Sequence, residues 1–194
     1  MPTTTTTDRV PARERLLAAA EELFYEEGVH SVGIDRVIER AGVAKATLYS
    51  VFGSKDELVR AYLVRHSQTW HGRLTSGLAT RYSTPRERVL GVFDLLGERI
   101  AEPDFRGCAF VNASAEARPG SPIEPVCDEA RVWVTDLFAD LARQAGVAKP
   151  EPLARQLSLL YHGATLSGWM DRDAAAAATA RAAAVTLLDA ASRR

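Results

Sequence analysis

The chain has 194 residues, with 24 Lys+Arg against 25 Asp+Glu, 46% hydrophobic residues and 25% charged ones. Those proportions exclude a chain disordered throughout, and at this length roughly 70% of the unfolded surface is buried on folding. A net charge of −1 exerts no bulk pull on phosphate, so any case for nucleic acid must rest on local residues.

No run of about 18 apolar residues is present, so no membrane partner is expected. Residues 1–8, a threonine tract, lack the apolar centre of a secretory signal and bury too little to fold. They are expected to be a disordered tail on a cytoplasmic protein. Cys108 and Cys127 are the only cysteines, which is no disulfide framework; each reads as a buried small hydrophobe before it reads as a redox switch.

Helical spacing recurs from end to end, and strand signals are weak. A first helix is predicted from Pro11 to Glu27, with Leu16, Ala20, Leu23 and Phe24 on one stripe and Gly28 as its stop. Short helices follow over Ile34–Arg40 and Lys45–Phe52, separated by Ala41-Gly42-Val43. Ser54-Lys55-Asp56-Glu57 opens a long fourth helix to about Ala79, and Thr84-Pro85-Arg86-Glu87 opens a fifth that ends before Pro103. A short helix is expected over Cys108–Ala117, then a proline-containing loop at Arg118–Pro125. Long helices follow from Val126 to Gly146, Leu153 to Met170 and Ala174 to Ala191.

Two short helices joined by a glycine-containing turn have a helix-turn-helix outline. At about 100° per residue, placing Leu48 at the buried centre of the third helix brings Phe52 and Val51 near it and turns Ala46 and Ser50 outward, flanked by Thr47 and Tyr49. That outer face is small, polar and uncharged except for Lys45. Small side chains allow close approach to base edges, the Ala46 and Thr47 methyls can meet thymine methyls, and the Thr47 and Ser50 hydroxyls can bond bases or phosphate. Tyr49, and Lys55 at the N-terminus of the fourth helix, suit phosphate oxygens. Arg9, Arg13 and Arg15 could meet the flanking backbone, and Arg36 is a further candidate. From angles alone, a plain helical hairpin with a polar face fits equally well.

The residues from Arg15 through Gly28 and from Ile34 to Leu58 include the Ala-Gly-Val turn, Thr47-Leu48-Tyr49, Phe52 and Ser54-Lys55-Asp56-Glu57-Leu58. Over about residues 10–62 they closely resemble the DNA-binding domain of the tetracycline-repressor (TetR) family of bacterial regulators. Arg106–Glu116 also looks like part of the ligand domain of one family branch. The resemblance implies an all-α protein with a helix-turn-helix domain over residues 9–54 and an effector-binding and dimerisation domain over 55–194. It implies a homodimer on a pseudo-palindromic double-stranded operator. By position, Lys45, Ala46 and Thr47 would face bases while Thr47, Tyr49 and Lys55 hold phosphates. Ala44 and Val51 depart from the pattern, where a capping hydroxyl and an aromatic are common.

In the second region Trp70, Phe93, Phe110, Trp133, Tyr161 and Trp169 are candidate walls of an effector pocket, with Asn112, His162 and Glu116 as polar groups able to orient a ligand. A small, largely apolar or aromatic effector follows. The last two helices are the expected dimer surface, since Leu157, Leu159, Leu160, Ala164 and Leu166 spread over more than one face. His66 and His71 are poorly spaced for a metal, and no phosphate loop or nucleophile elbow is present, so no metal, cofactor or enzymatic activity is expected. The expected function is a repressor released from DNA by its effector; the alternative is a DNA-binding activator, or a regulator without an effector. Residues 9–66 carry nine basic and nine acidic side chains, so even the reading head is neutral and placement of charge must do what total charge does not.

Overall fold

The structure, a computed structural model, describes residues 10–192, so the predicted tail and Arg9 lie outside the described residues. The described residues form nine helices and no strand: α1 (Ala12–Glu27), α2 (Ile34–Ala41), α3 (Lys45–Phe52), α4 (Lys55–Arg81), α5 (Pro85–Ile100), α6 (Ala109–Glu116), α7 (Ile123–Gln144), α8 (Pro150–Met170) and α9 (Ala176–Ser192). The all-α expectation holds. None of these helices is long and apolar enough to cross a membrane.

Helix ends follow local chemistry. The Thr84 hydroxyl accepts from Glu87 N at 3.2 Å and the Glu87 carboxylate accepts from Thr84 N at 2.9 Å, a reciprocal cap that fixes the start of α5. At Ser54 only half of that arrangement forms: the hydroxyl accepts from Glu57 N at 3.1 Å, while the Glu57 carboxylate accepts from Arg60 at 2.7 Å. Gly42 closes α2 in the left-handed region at φ 62°, where a side chain would be strained.

Two predicted boundaries move. α7 begins at Ile123, inside the expected Arg118–Pro125 loop, and α8 begins at Pro150, ahead of the expected Leu153. In both cases prolines sit in the first helical turn, where the missing N–H has no intrahelical acceptor to lose.

The buried residues form two cores. One joins α1, α2, α3 and the first half of α4 to Ala109 and Ala113 of α6 and to Ile123, Val126 and Cys127 of α7. The other packs Leu74 and Leu78 of α4 with α5, the rest of α7, α8 and α9. α4 therefore runs through both. The α7–α8–α9 packing is the most extensive in the second core, with Phe138 fully buried between Phe93 (centroids 5.6 Å apart) and Tyr161 (6.3 Å).

Candidate DNA-reading face and ligand cavity

α3 stands on Leu48, which is fully buried, with Phe52 half-buried beside it. Ala46, Tyr49 and Ser50 are exposed and Thr47 is half-exposed, so the four small or hydroxylated side chains share one outward face. Val51 departs from the helical-wheel expectation: it is 38% exposed, because no element of the head covers that flank of the short helix. Ala44 is the N-cap of α3 and makes no side-chain cap, so the first turn is closed by backbone alone, with Thr47 N donating to Ala44 O at 2.9 Å.

The charged candidates are engaged. Lys45 Nζ donates to Asp35 Oδ1 at 2.9 Å, and Arg36 forms a bidentate pair with Glu27, its Nη2 at 2.9 Å from Oε1. Both pairings raise the base's pKa. Lys55 Nζ lies 6.0 Å from the Phe24 ring centroid. Arg15 has a structural place that the sequence did not reveal. Its Nη1 donates to the carbonyls of Ala41 and Gly42, both at 2.9 Å, and so caps the end of α2 from α1. The exposed pairs Glu27–Arg36 and Glu22–Arg40 also bridge α1 and α2.

A cavity of about 810 Å³ lies between α1 and the helices beneath it. Ala18, Glu21, Glu22, Tyr25 and Glu26 of α1 contribute to its wall, together with His66, Trp70 and His71 of α4, Leu96 and Arg99 of α5, Phe105, Cys108 and Phe110, Cys127 and Arg131 of α7, and Tyr161, His162 and Thr165 of α8. Of the eight predicted effector residues, Trp70, Phe110, Tyr161 and His162 are on this wall; Phe93, Asn112, Trp133 and Trp169 are not.

The four exceptions have other partners. Phe93 is 1% exposed inside the second core. Asn112 Nδ2 donates to Arg106 O at 3.2 Å. Trp133 stacks on His71, centroids 3.5 Å apart, behind the wall. Trp169 covers Gly107, where a Cβ would stand 2.9 Å from the indole. Glu116 is also elsewhere: its carboxylate accepts from His30 N at 2.7 Å, tying the end of α6 to the turn after α1.

Tyr25 was missed by sequence because it sits on a helix of the head, yet it joins the hydrogen-bonded network of the wall. Its hydroxyl accepts from Arg99 Nη2 at 2.8 Å and Arg106 N at 2.9 Å, and burial raises its pKa. Arg99 in turn pairs with Glu102 and Asp104 and lies over the Tyr25 and Phe105 rings. Both thiols are unbridged, and burial pushes both up, Cys127 to about 11, which keeps them protonated at neutral pH. Among the described residues no group of three or more His, Cys, Asp or Glu is placed to hold a metal.

Residues 16–62 match the family model described as bacterial regulatory proteins, tetR family. The chain superposes on the crystal structure of a TetR-family transcriptional regulator from Streptomyces coelicolor with a TM-score of 0.86 and 34% identity, over 93% of this chain and 96% of that one. It belongs to the TetR family. Like the other TetR-family proteins it is a DNA-binding transcriptional regulator, with the helix-turn-helix in α2–α3.

Its curated relatives include the repressor NemR of Escherichia coli, 33% identical over 105 residues, 54% of this chain and 53% of that protein. The activator FasR of Mycolicibacterium smegmatis is 48% identical over 62 residues, 30% of this chain and 28% of that protein. These alignments span about half or less of the relatives' own length, and the longer likeness is carried by the Streptomyces structure.

Proposed function

We propose that this TetR-family protein is a homodimeric repressor that leaves a pseudo-palindromic operator when a small, largely apolar effector fills the cavity. In this reading residues 9–54 read DNA, residues 55–194 bind effector and partner, and α4 carries motion between them. The observation that supports it best is that α1 of the head forms part of the cavity wall. An effector there would touch the head directly, and a change of about 3 kcal/mol in differential binding suffices for roughly 100-fold derepression. The cavity volume also falls in the usual range for small-molecule sites and argues against a regulator without an effector.

Tyr25→Phe tests the coupling. The variant keeps the ring and removes the acceptor of the Arg99 and Arg106 bonds. It is expected to bind operator within about threefold of wild type but to be released about tenfold less effectively by an effector identified through thermal-shift screening of metabolites. Unchanged release in a gel-shift titration would remove Tyr25 from the coupling route and weaken the repressor mechanism.

On the DNA side, Ala46, Thr47 and Ser50 are assigned to base edges, with Lys45 and Arg36 reaching DNA by exchanging Asp35 and Glu27 for phosphate or guanine. Tyr49 and Lys55 are assigned to phosphates. Lys55→Ala is expected to flatten the slope of log affinity against log salt by about 0.9 per lost contact, whereas Tyr49→Ala should weaken binding about tenfold with the slope unchanged. Equal slopes in all three proteins would overturn the assignment of Lys55. Because the head is also similar to that of an activator, a promoter–reporter assay in a deletion strain decides the sign of regulation: rising expression supports repression.

A further inference from the structure

Three of the chain's four histidines, His66, His71 and His162, line the cavity. His71 Nε2 lies 3.2 Å from Ser67 Oγ, and His162 meets Tyr161 edge-on, centroids 5.6 Å apart. His66 stands within a cluster of three aromatic rings. Among the described residues it has no hydrogen-bond partner, and only burial and the Arg99 charge act on its pKa, holding it down at about 4. It is therefore a neutral imidazole with one donor and one acceptor nitrogen, set into a mostly apolar wall with neither used.

The surroundings of that imidazole are flat and aromatic. Its ring stacks on Tyr25 at 5.5 Å between centroids, meets Phe110 edge-on at 5.8 Å and lies 5.9 Å from Tyr62. Most charges of the wall are paired; Glu26, exposed on α1, is the carboxylate without an ion-pair partner among the described residues. Glu102 pairs with Arg73 and Arg99, Asp104 with Arg99, Glu21 with Arg65, Glu22 with Arg40, and Arg131 with Asp128. Five carboxylates against three guanidinium groups on the wall disfavour an anion. A cation finds four of the five wall carboxylates taken, the fifth at exposed Glu26, and the Tyr25 and Phe105 rings already covered by Arg99 at 5.4 and 5.6 Å.

We propose that the cavity takes an uncharged hydroxylated aromatic ring, a phenol by chemical class, whose hydroxyl hydrogen-bonds to His66 while its ring packs against Phe110. A phenolic O–H is a good donor to a neutral imidazole nitrogen, and its oxygen accepts if the ring presents N–H instead, so either tautomer is served. A planar ring adds edge and stacking contacts that an aliphatic alcohol lacks. The volume of about 810 Å³ admits a bicyclic ring with room to spare.

This assignment rests on the reading of the cavity as the effector site, and its test is kept apart from DNA. Isothermal titration of the full chain with naphthol, naphthalene, naphthoate and naphthylmethylammonium at neutral pH isolates the hydroxyl and the charge. Naphthol is expected to bind about tenfold tighter than naphthalene, and both charged probes more weakly than naphthol. His66→Phe preserves the aromatic cluster and is expected to bring naphthol and naphthalene within twofold of each other. His30→Phe, at the histidine that lies outside the cavity wall, is expected to keep the tenfold preference.

The proposal is overturned if none of the probes binds, if naphthol gains nothing over naphthalene on the wild-type chain, or if either charged probe binds tighter than naphthol. It is also overturned if the preference survives in His66→Phe or is lost in His30→Phe. The wild-type comparison decides the matter even if a variant fails to fold. Tight naphthol binding without release of operator DNA would leave the ligand class standing and count against the effector reading.

Discussion

Phe138→Ala is expected to lower the free energy of unfolding by about 3–5 kcal/mol, among the largest effects available to a single substitution in this chain. The ring is fully buried in the second core, against Phe93 and Tyr161. Truncation removes the transfer free energy of the ring and leaves a void that three helices, α5, α7 and α8, would have to move together to fill. Urea denaturation followed by circular dichroism should show a lower midpoint with little change in slope. A loss below about 1.5 kcal/mol would mean that the helices collapse around the void and that Phe138 is not the centre of this core. The substitution also bears on the cavity: Tyr161 rests on Phe138, and its hydroxyl accepts from Trp70 Nε1 at 2.9 Å, so two wall residues lose their support together.

The reading helix was legible in the sequence because its signals are local. Gly42 must end α2, Gly53 ends α3, and Leu48 sets the phase of everything between them. The cavity was not legible for the opposite reason. Periodicity separates a buried face from an exposed one, but Phe93 and Phe110 have the same helical spacing logic, and only packing decides that Phe93 meets Phe138 while Phe110 edges a void. Tyr25 was hidden by partition, because its helix reads as head while the cavity lies at the junction; His66 was weighed only as a metal ligand, and spacing along α4 does not reveal that it faces a void. Arg15 shows how charge misleads. It reads as a phosphate contact, yet two carbonyls at the end of α2 take its donors. The alternatives for Lys45 and Arg36 are likewise invisible in sequence, because Asp35 meets Lys45 only after α2 and α3 pack, and Glu27 meets Arg36 only after α1 and α2 pack.

Paired acids on the head give the neutral charge count a physical meaning. Arg36, Arg40 and Lys45 each hold a carboxylate, so the free protein presents little uncompensated positive potential near α3. In the proposed mode of binding, DNA would exchange the partners of Arg36 and Lys45 for phosphate, which would lower non-specific affinity and leave specificity to the joint action of two heads.

In the proposed dimer, that dependence makes the α8–α9 face the most sensitive target. Leu159→Glu combined with Leu166→Glu is expected to yield a folded monomer that binds operator about a thousandfold more weakly than wild type. On α8, Leu157 and Ala164 face the core, while Leu159 (74% exposed), Leu166 (47%) and Met170 (66%) form an unpartnered apolar stripe with Gly163 between them. Beside it, α9 turns Ala178, Ala182 and Ala183 outward, side chains small enough for close helix approach. Two glutamates placed on that stripe in each protomer would bring four like charges into the apolar centre of a twofold interface, where desolvation adds to their repulsion. The fold should tolerate the change, since both leucines are exposed in the monomer. A single head retains its half-site contacts but loses the second head held about one helical turn of DNA away, and with it the effective concentration that makes two weak sites one strong one. Sedimentation velocity, circular dichroism and gel shift on the same sample check the three parts of the expectation. A variant that remains dimeric would place the interface elsewhere, and a folded monomer with wild-type operator affinity would show that one head is sufficient.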